Sequence, residues 1–362
     1  MALAYGGGLW RRSWSSSGPM TGSEANMSTD AVHLLELVCP AGTPSSLRTA
    51  VEAGADAVYC GFQDATNARN FPGLNFSRKE MEESIVHAHQ KGARVMVALN
   101  TFPPAGKMDL WKVAVRDAAH FGADAIIVAD IGVAHYAAKH HPDLRLHLSV
   151  QAGAASPEAI LFYCESFNVK RVVLPRILTV AEIRDLKDEV PCEIEVFVFG
   201  NIGMMAEGRC SLTNYVTGVS TNMDGVCSPA NSVTYNKDVA CNLSASMGGF
   251  TLDRFVVGEP AGYPTICKGR YASPDGKPYY AFEEPVSLNL SALLPDLIKA
   301  GVTAFKIEGR QRSRAYVKAV VSAYRKAVDD SLAGRKPALA DLIALTEGNR
   351  QTEGAFASKK WR

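Results

Sequence analysis

The stretch AGADAVYCG, residues 53–61, sets the reading of the chain. Its glycine closes a helical pattern, SSLRTAVEAG (45–54), and a run rich in β-branched and aromatic residues begins almost at once. The phrase Gly-Ala-Asp-Ala starts at Gly54 and returns at Gly122, each time between a helical segment and an apolar run. A helix-then-strand unit that repeats in this way builds an α/β fold around a parallel sheet.

Outward from that stretch, eight short apolar runs recur: LLELVC (34–39), ADAVYC (55–60), ARVMVAL (93–99), ADAIIVA (123–129), RLHLSV (145–150), KRVVLP (170–175), EIEVFVF (193–199) and VTAFKI (302–307). Helical periodicity separates most of them. SRKEMEESIVHAHQKG (77–92) opens on a Ser77–Glu80 capping box, and SPEAILFYCESF (156–167) and TVAEIRDLKDEV (179–190) repeat the pattern. Eight strands alternating with helices predict a (β/α)8 TIM-like barrel. An open doubly wound sheet is the competitor, and no Gly-rich dinucleotide fingerprint follows the first strand to favour it. The rhythm breaks between strands seven and eight, where residues 200–285 make a long cysteine-bearing insertion. The expected organisation is a disordered tail over 1–30, a barrel domain over 31–335 that includes the insertion, and a C-terminal extension over 336–362 packing on the barrel.

Composition narrows the classes. The chain has 362 residues, 38 Lys plus Arg against 37 Asp plus Glu, and a net charge of +1, so no broad electrostatic attraction to nucleic acid or anionic membrane is expected. No apolar run approaches the ~20 residues of a membrane helix. The Gly- and Ser-rich first thirty residues make a poor secretory signal, and Met20 or Met27 are alternative starts. A reducing cytoplasm is the expected compartment, where cysteines serve packing, metals or catalysis more often than disulfides. The eight cysteines include no CxxC pair.

In a barrel the chemistry gathers at the carboxyl ends of the strands. Those ends carry Cys39, Cys60, Asn100, Asp130, Gln151, Arg176, Asn201 and Glu308. Asn100 and Asp130 read equally well as turn or cap residues. Gln151 and Arg176 follow LHLSV and VVLP and are read as lining the site. KIEGRQRSRAYV (306–317) ends the last strand on Lys306 and Glu308, then sets Arg310, Arg312 and Arg314 where a helix begins. Guanidiniums at a helix start suit an anionic substrate, and an ion-pair set with Glu308 is the alternative. The polar and aromatic segment 63–76 reads as a wall of the site or as a surface loop.

The insertion holds Cys210, Cys227 and Cys267 in the spacing Cys-x16-Cys-x39-Cys, all in Gly-, Pro- and Ser-rich sequence. Burial as small hydrophobes is one reading and metal ligation the other. Arg209, Lys268 and Arg270 stand close in sequence and would favour thiolates. Cys164, Cys192 and Cys241 read as structural.

At this point the sequence resembles a known family, the collagenase-like peptidases, and within it the UbiU-like branch of oxygen-independent ubiquinone biosynthesis. The resemblance rests on ELVCPAG (36–42), AGADAVYCG (53–61), TNARNFPGLNF (66–76), RVVLPR (171–176), MAEGRC (205–210), YPTICKGRY (263–271), EEPVSLNL (283–290) and KIEGRQRSRAYV (306–317). It implies a [4Fe-4S] cluster on four cysteines, three of them Cys210, Cys227 and Cys267. The fourth would stand at position 203, where this chain has Gly203. Cys39, Glu207 or an open iron site are the alternatives for the fourth ligand, and the absence of any cluster is a further one.

The resemblance implies a heterodimer with a UbiV-like partner, hydroxylating a ubiquinone precursor with a prephenate-like oxygen donor. Gln151, Arg176, Arg310 and Arg312 would bind substrate, and Glu207 and Glu308 would carry protons. Three other functions stand beside it. Hydroxylation of an RNA pyrimidine suits a relative of the same family, although near-zero charge argues against a large RNA surface. Proteolysis needs a cysteine with a positioned histidine, and no histidine shares a motif with a loop cysteine. A scaffold without its own cluster would account for Gly203.

Overall fold

In the computed structural model, which describes residues 35–203, 210–221, 227–337 and 342–358, eight parallel strands close into a barrel. They are β1 Glu36–Pro40, β2 Ala57–Cys60, β3 Arg94–Leu99, β4 Ala125–Val128, β5 Arg145–Leu148, β6 Arg171–Val173, β7 Glu193–Asn201 and β8 Ala304–Ile307. Each coincides with one of the eight apolar runs, β1 running one residue past its run to Pro40 and β7 two past its run to Asn201. Closure is made by β8, which pairs with β1 through Glu36↔Ala304 to Val38↔Lys306 and with β7 through Ala304↔Glu195 to Ile307↔Phe199. The tail expected over 1–30 lies outside the described residues.

Helices α1 Pro44–Glu52, α2 Arg78–Gln90, α3 Asp109–His120, α4 Ile131–His140, α5 Pro157–Phe167 and α6 Val180–Glu189 alternate with the first seven strands. Their starts follow from local chemistry. Ser77 Oγ accepts from the Glu80 N–H while the Glu80 carboxylate accepts from the Ser77 N–H at 2.9 Å, a complete capping box. Thr179 and Glu182 repeat it on α6. Asp130 caps α4, accepting from the Val133 N–H at 3.0 Å, so the cap reading of that residue holds.

The repeated phrase has a common mechanical role. Gly54 and Gly122 take φ of +103° and +79°, the left-handed turn that stops a helix. The aspartate two residues on then ties down the neighbouring strand. Asp56 accepts from the Leu37 N–H at 2.7 Å, and Asp124 accepts from the Val95 N–H at 2.7 Å.

Strand alternation divides the core. Val38, Tyr59, Met96, Ile127 and their neighbours fill the inside of the barrel, while Leu37, Cys39, Val58, Cys60, Val95 and Val97 pack against the helices. At the amino ends the inside is ionic. The buried Arg171 reaches Glu36 at 2.6 Å, Glu193 at 2.6 Å and Glu195 at 3.2 Å, and Arg145 pairs with Glu193 at 2.5 Å. Lys306 pairs with the fully buried Glu195. Arg145 donates to His147 Nε2 at 3.0 Å. Burial, with the nearby Arg171 and Arg145, drives the His147 pKa well below its usual range, so the ring is neutral.

The insertion opens with α7 Leu212–Thr217 and continues into an antiparallel sheet of Val233–Lys237, Leu243–Met247 and Phe250–Phe255. A hairpin of Arg270–Ala272 and Pro278–Tyr280 follows. The segment Ser287–Asn289 then lies antiparallel along β7, pairing Ser287 with Asn201 and Leu288 with Gly200. The late strand Gln351–Thr352 pairs in parallel with Ser287–Leu288. Helices α8 Leu294–Lys299 and α9 Arg314–Leu332 flank β8. Among the described residues no helix is long and apolar enough to cross a membrane.

Candidate functional site

A cavity of about 220 Å³ opens at the carboxyl ends of the strands. Strand ends supply Asn100, Gln151, Lys306 and Glu308, the loop after β2 supplies Arg69, and the insertion supplies Cys210, Cys227 and Cys267. The three cysteines thus share one cavity despite their wide separation in sequence.

The arginine side is built around Glu308. Its carboxylate meets Arg176 Nη2 at 2.7 Å and Arg69 Nη2 at 3.3 Å. Burial acts to raise the Glu308 pKa, but Arg176 and Arg69 outweigh it and the carboxyl is held below its usual range. Arg176 also stacks over Phe197, 3.8 Å from the ring centroid.

Arg310 is different. It is only 6% exposed, and its Nη1 donates to Asn67 Oδ1 at 3.3 Å, yet it forms no ion pair among the described residues. Burial lowers its pKa to about 10. Gln151 has a matching feature: its Oε1 is buried and lacks a hydrogen-bond partner among the described residues. A buried unpaired acceptor and a buried unpaired cation facing one cavity are the marks of a polar ligand site. Asn100 accepts from the Ala68 N–H at 3.0 Å and donates to Ser149 Oγ at 3.3 Å, fixing the wall between them.

On the thiol side burial outweighs the pull of the basic neighbours. Burial pushes the Cys267 thiol up to about 11, Lys268 opposes it, and Glu283, Cys227 and Cys210 add to it. Cys227 is exposed at the surface, yet the protein around it also pushes its thiol up, against the pull of Arg69 and with a further push from Cys210. The mutual effects place the three sulfurs within electrostatic reach of one another. Lys268 is itself engaged, donating to Asn201 Oδ1 at 2.6 Å and pairing with Glu347. Arg270 turns away to Asp253 and Glu259, both at 2.8 Å.

Among the described residues no three His, Cys, Asp or Glu side chains converge tightly enough to hold a single metal ion. An iron–sulfur cluster makes a different demand. Each iron takes its own ligand, so the thiolates stand around a body and not at a point. Three thiols facing one cavity fit that donor set.

Other expectations are revised. Cys39 is fully buried on the helix-facing side of β1, and its Sγ lies 3.8 Å from Leu37 O. It does not line the cavity, because Val38 and not Cys39 has the inward parity. Cys60 shares that outward parity. Arg312 lines the cavity but pairs with Glu347 at 3.1 Å. Glu207 and Arg209 lie outside the described residues. The segment 63–76 is a wall, since it contributes Ala68 and Arg69 to the lining.

Sequence reasoning missed Arg69, Phe197 and Glu347, and it named Lys268 only as a neighbour of Cys267. Phe197 was findable, since Glu193, Glu195 and Phe197 alternate along one face of β7. Nothing local marks Glu347. No histidine lines the cavity, so the general base of a cysteine protease is missing there among the described residues.

The chain is 32% identical over 330 residues to tRNA hydroxylation protein P of Escherichia coli (strain K12), covering 86% of this chain and 72% of that protein. It is 31% identical over 325 residues to tRNA hydroxylation protein P1 of Bacillus subtilis (strain 168), covering 89% and 70%. Against the 23S rRNA 5-hydroxycytidine C2501 synthase of Escherichia coli (strain K12) the identity is 31% over 304 residues, covering 83% and 40%. Residues 42–359 match Peptidase family U32, and the chain belongs to that family.

Proposed function

We propose that this U32 protein serves an oxygen-independent hydroxylation of an unsaturated ring, with an iron–sulfur cluster on Cys210, Cys227 and Cys267 and an anionic co-substrate beside Arg310. The observation that carries the reading is the meeting, on one cavity, of three thiols and a buried arginine that forms no ion pair among the described residues. A bound [4Fe-4S] cluster would supply electron transfer or Lewis acidity.

The chain's own side chains supply the rest. Arg310 offers a desolvated positive charge to a carboxylate, such as that of a prephenate-like oxygen donor. Gln151 Oε1 accepts a hydrogen bond from an N–H or O–H of the ring. Glu308, held ionised by Arg176 and Arg69, fixes those two guanidiniums and is poorly placed to act as an acid. Glu207 is left as the proton carrier of this reading. The protein is expected to work in the cytoplasm.

The names of the relatives support the reaction class and favour a pyrimidine of RNA as the ring. A second reading keeps the ubiquinone precursor as substrate and a UbiV-like protein as the heterodimer partner. The motif resemblance and the net charge of +1 favour it, because no charge excess is available for a broad RNA surface.

One experiment separates them. The chain is produced anaerobically in a bacterium lacking its own tRNA hydroxylation protein, and digested RNA and extracted quinones are measured by mass spectrometry. Hydroxylated nucleosides support the first reading. Hydroxylated quinones that require the UbiV-like partner support the second, and their survival in an iron-free variant would make this chain a scaffold. Neither product under iron-replete conditions sinks the hydroxylation reading.

A further inference from the structure

Two cysteines away from the cavity meet each other. Cys164 sits in the last turn of α5, and Cys192 immediately precedes β7. The fold sets them side by side. The Asn168 N–H donates to the Cys164 carbonyl at 3.0 Å as α5 ends, and the chain turns at once into β6. The Glu193 N–H then donates to the Lys170 carbonyl at 2.9 Å, which holds the start of β7 against the start of β6. Cys164 packs on the core cluster that contains Cys192, and the two thiols share a side-chain hydrogen bond. Both are free. Neither lines the cavity, since they lie at the amino ends of the strands.

The pair is asymmetric. Cys164 is half-buried, whereas Cys192 is only 5% exposed. The hydrogen bond from Cys192 holds the Cys164 pKa below its usual range, and Lys170 supports it against burial and Glu165. The same bond, together with burial, pushes the Cys192 thiol up. Cys164 is thus the thiol that ionises first and that a small reagent reaches, and Cys192 is the proton-bearing partner behind it. Packing alone asks for neither property.

We propose that Cys164 and Cys192 form an oxidation site for a peroxide, which joins them in a reversible disulfide that clamps α5 to the start of β7. The Cys164 thiolate attacks one peroxide oxygen and the O–O bond breaks. A sulfenic acid forms, and the departing hydroxide takes up the proton that Cys164 had shed. The Cys192 sulfur then attacks the sulfenic sulfur, the S–O bond breaks, and hydroxide leaves with the Cys192 proton as water. The two thiols give up two electrons, and one peroxide becomes two waters. The link closes residues 165–191 into a loop, which restricts the unfolded chain and stabilises the barrel under oxidant. Nothing in this depends on a cluster at the cavity thiols.

The test is titration of the full chain with hydrogen peroxide, followed by blocking of free thiols with iodoacetamide and peptide mapping by mass spectrometry. A linked pair of Cys164 and Cys192 peptides is expected, separable by dithiothreitol, at doses that leave the fully buried Cys39 and Cys60 intact. The linked form should melt several degrees above the reduced form and lose that gain on reduction. Cys192→Ser should stop at a sulfenic acid on Cys164, captured by dimedone, and Cys164→Ser should leave Cys192 unmodified. The wild-type map decides the case even where a variant fails to fold. Linkage of either cysteine to a different one, or sulfinic acid on Cys164 with no link, overturns the proposal. So does survival of both thiols at a dose that oxidises the exposed Cys241. A link that forms without raising the melting temperature overturns the clamp.

Discussion

Arg176 and Glu308 meet at 2.7 Å, one from the loop after β6 and the other from the end of β8. With Arg69 on its second oxygen, Glu308 joins three separate loops at the mouth of the barrel.

Removing that carboxylate should be costly. Glu308→Gln leaves two guanidiniums without their shared partner, and a loss of about 3 kcal/mol is expected in urea titrations. The sign with pH follows from the lowered pKa, where Arg176 and Arg69 outweigh burial. The contribution is fully present above the unfolded value of about 4.3 and is lost as pH falls through the lower folded value. The gap between wild type and variant should stay constant near neutrality and narrow only under acid conditions.

Arg310 should behave in the opposite way. Its buried charge lacks an ion pair among the described residues, so Arg310→Met is expected to leave stability unchanged or raise it by about 1 kcal/mol. Binding of prephenate by titration calorimetry should weaken by about tenfold or more, the loss of a charge-assisted contact. A variant that is both unstable and unaltered in binding would show that Arg310 serves the fold.

Gln151 offers a second separation of stability from function. An unsatisfied buried acceptor costs the fold about 1–3 kcal/mol, so Gln151→Met should gain a part of that in thermal denaturation. The yield of hydroxylated product, measured by mass spectrometry, should fall in the same variant.

The cysteines divide cleanly. Alanine at Cys210, Cys227 or Cys267 should remove most reconstituted iron while leaving the melting temperature of the metal-free chain close to wild type. Cys39→Ala should retain its iron and lose about 1 kcal/mol of stability, because a packed side chain becomes a small void. Iron counting beside calorimetry checks both halves.

The barrel was legible because its signals are local. Capping boxes, the Gly-Ala-Asp-Ala phrase and short β-branched runs each report their own element. Strand parity is local too, and it is what the placement of Cys39 at the mouth ignored: Val38 points inward, so its neighbour cannot. Gln151, Arg310 and the three loop cysteines line the cavity, and they were legible because polar residues end apolar runs or sit in irregular sequence; Arg176, also read as lining the site, stands behind Glu308 and does not line it. Arg69 and Glu347 were not legible, because their roles exist only through partners far away in the chain. Glu347 meets Lys268 and Arg312 across the fold, and no pattern around residue 347 announces either contact. The ionic filling at the amino ends was equally hidden, since Glu36, Arg171 and Glu195 look like ordinary surface charges until the sheet closes on them.

That closure also sets an order of events during synthesis. Cys210, Cys227 and Cys267 leave the ribosome before β8 does, yet β8 is the strand that seals the ring against β1. Lys306, Glu308 and Arg310 arrive with it. A nascent chain therefore passes through an interval with its sulfurs translated and the floor beneath them not yet made. If the proposed cluster forms, iron delivered in that interval would meet loose thiols on an open sheet, and loading is expected to belong to the finished barrel.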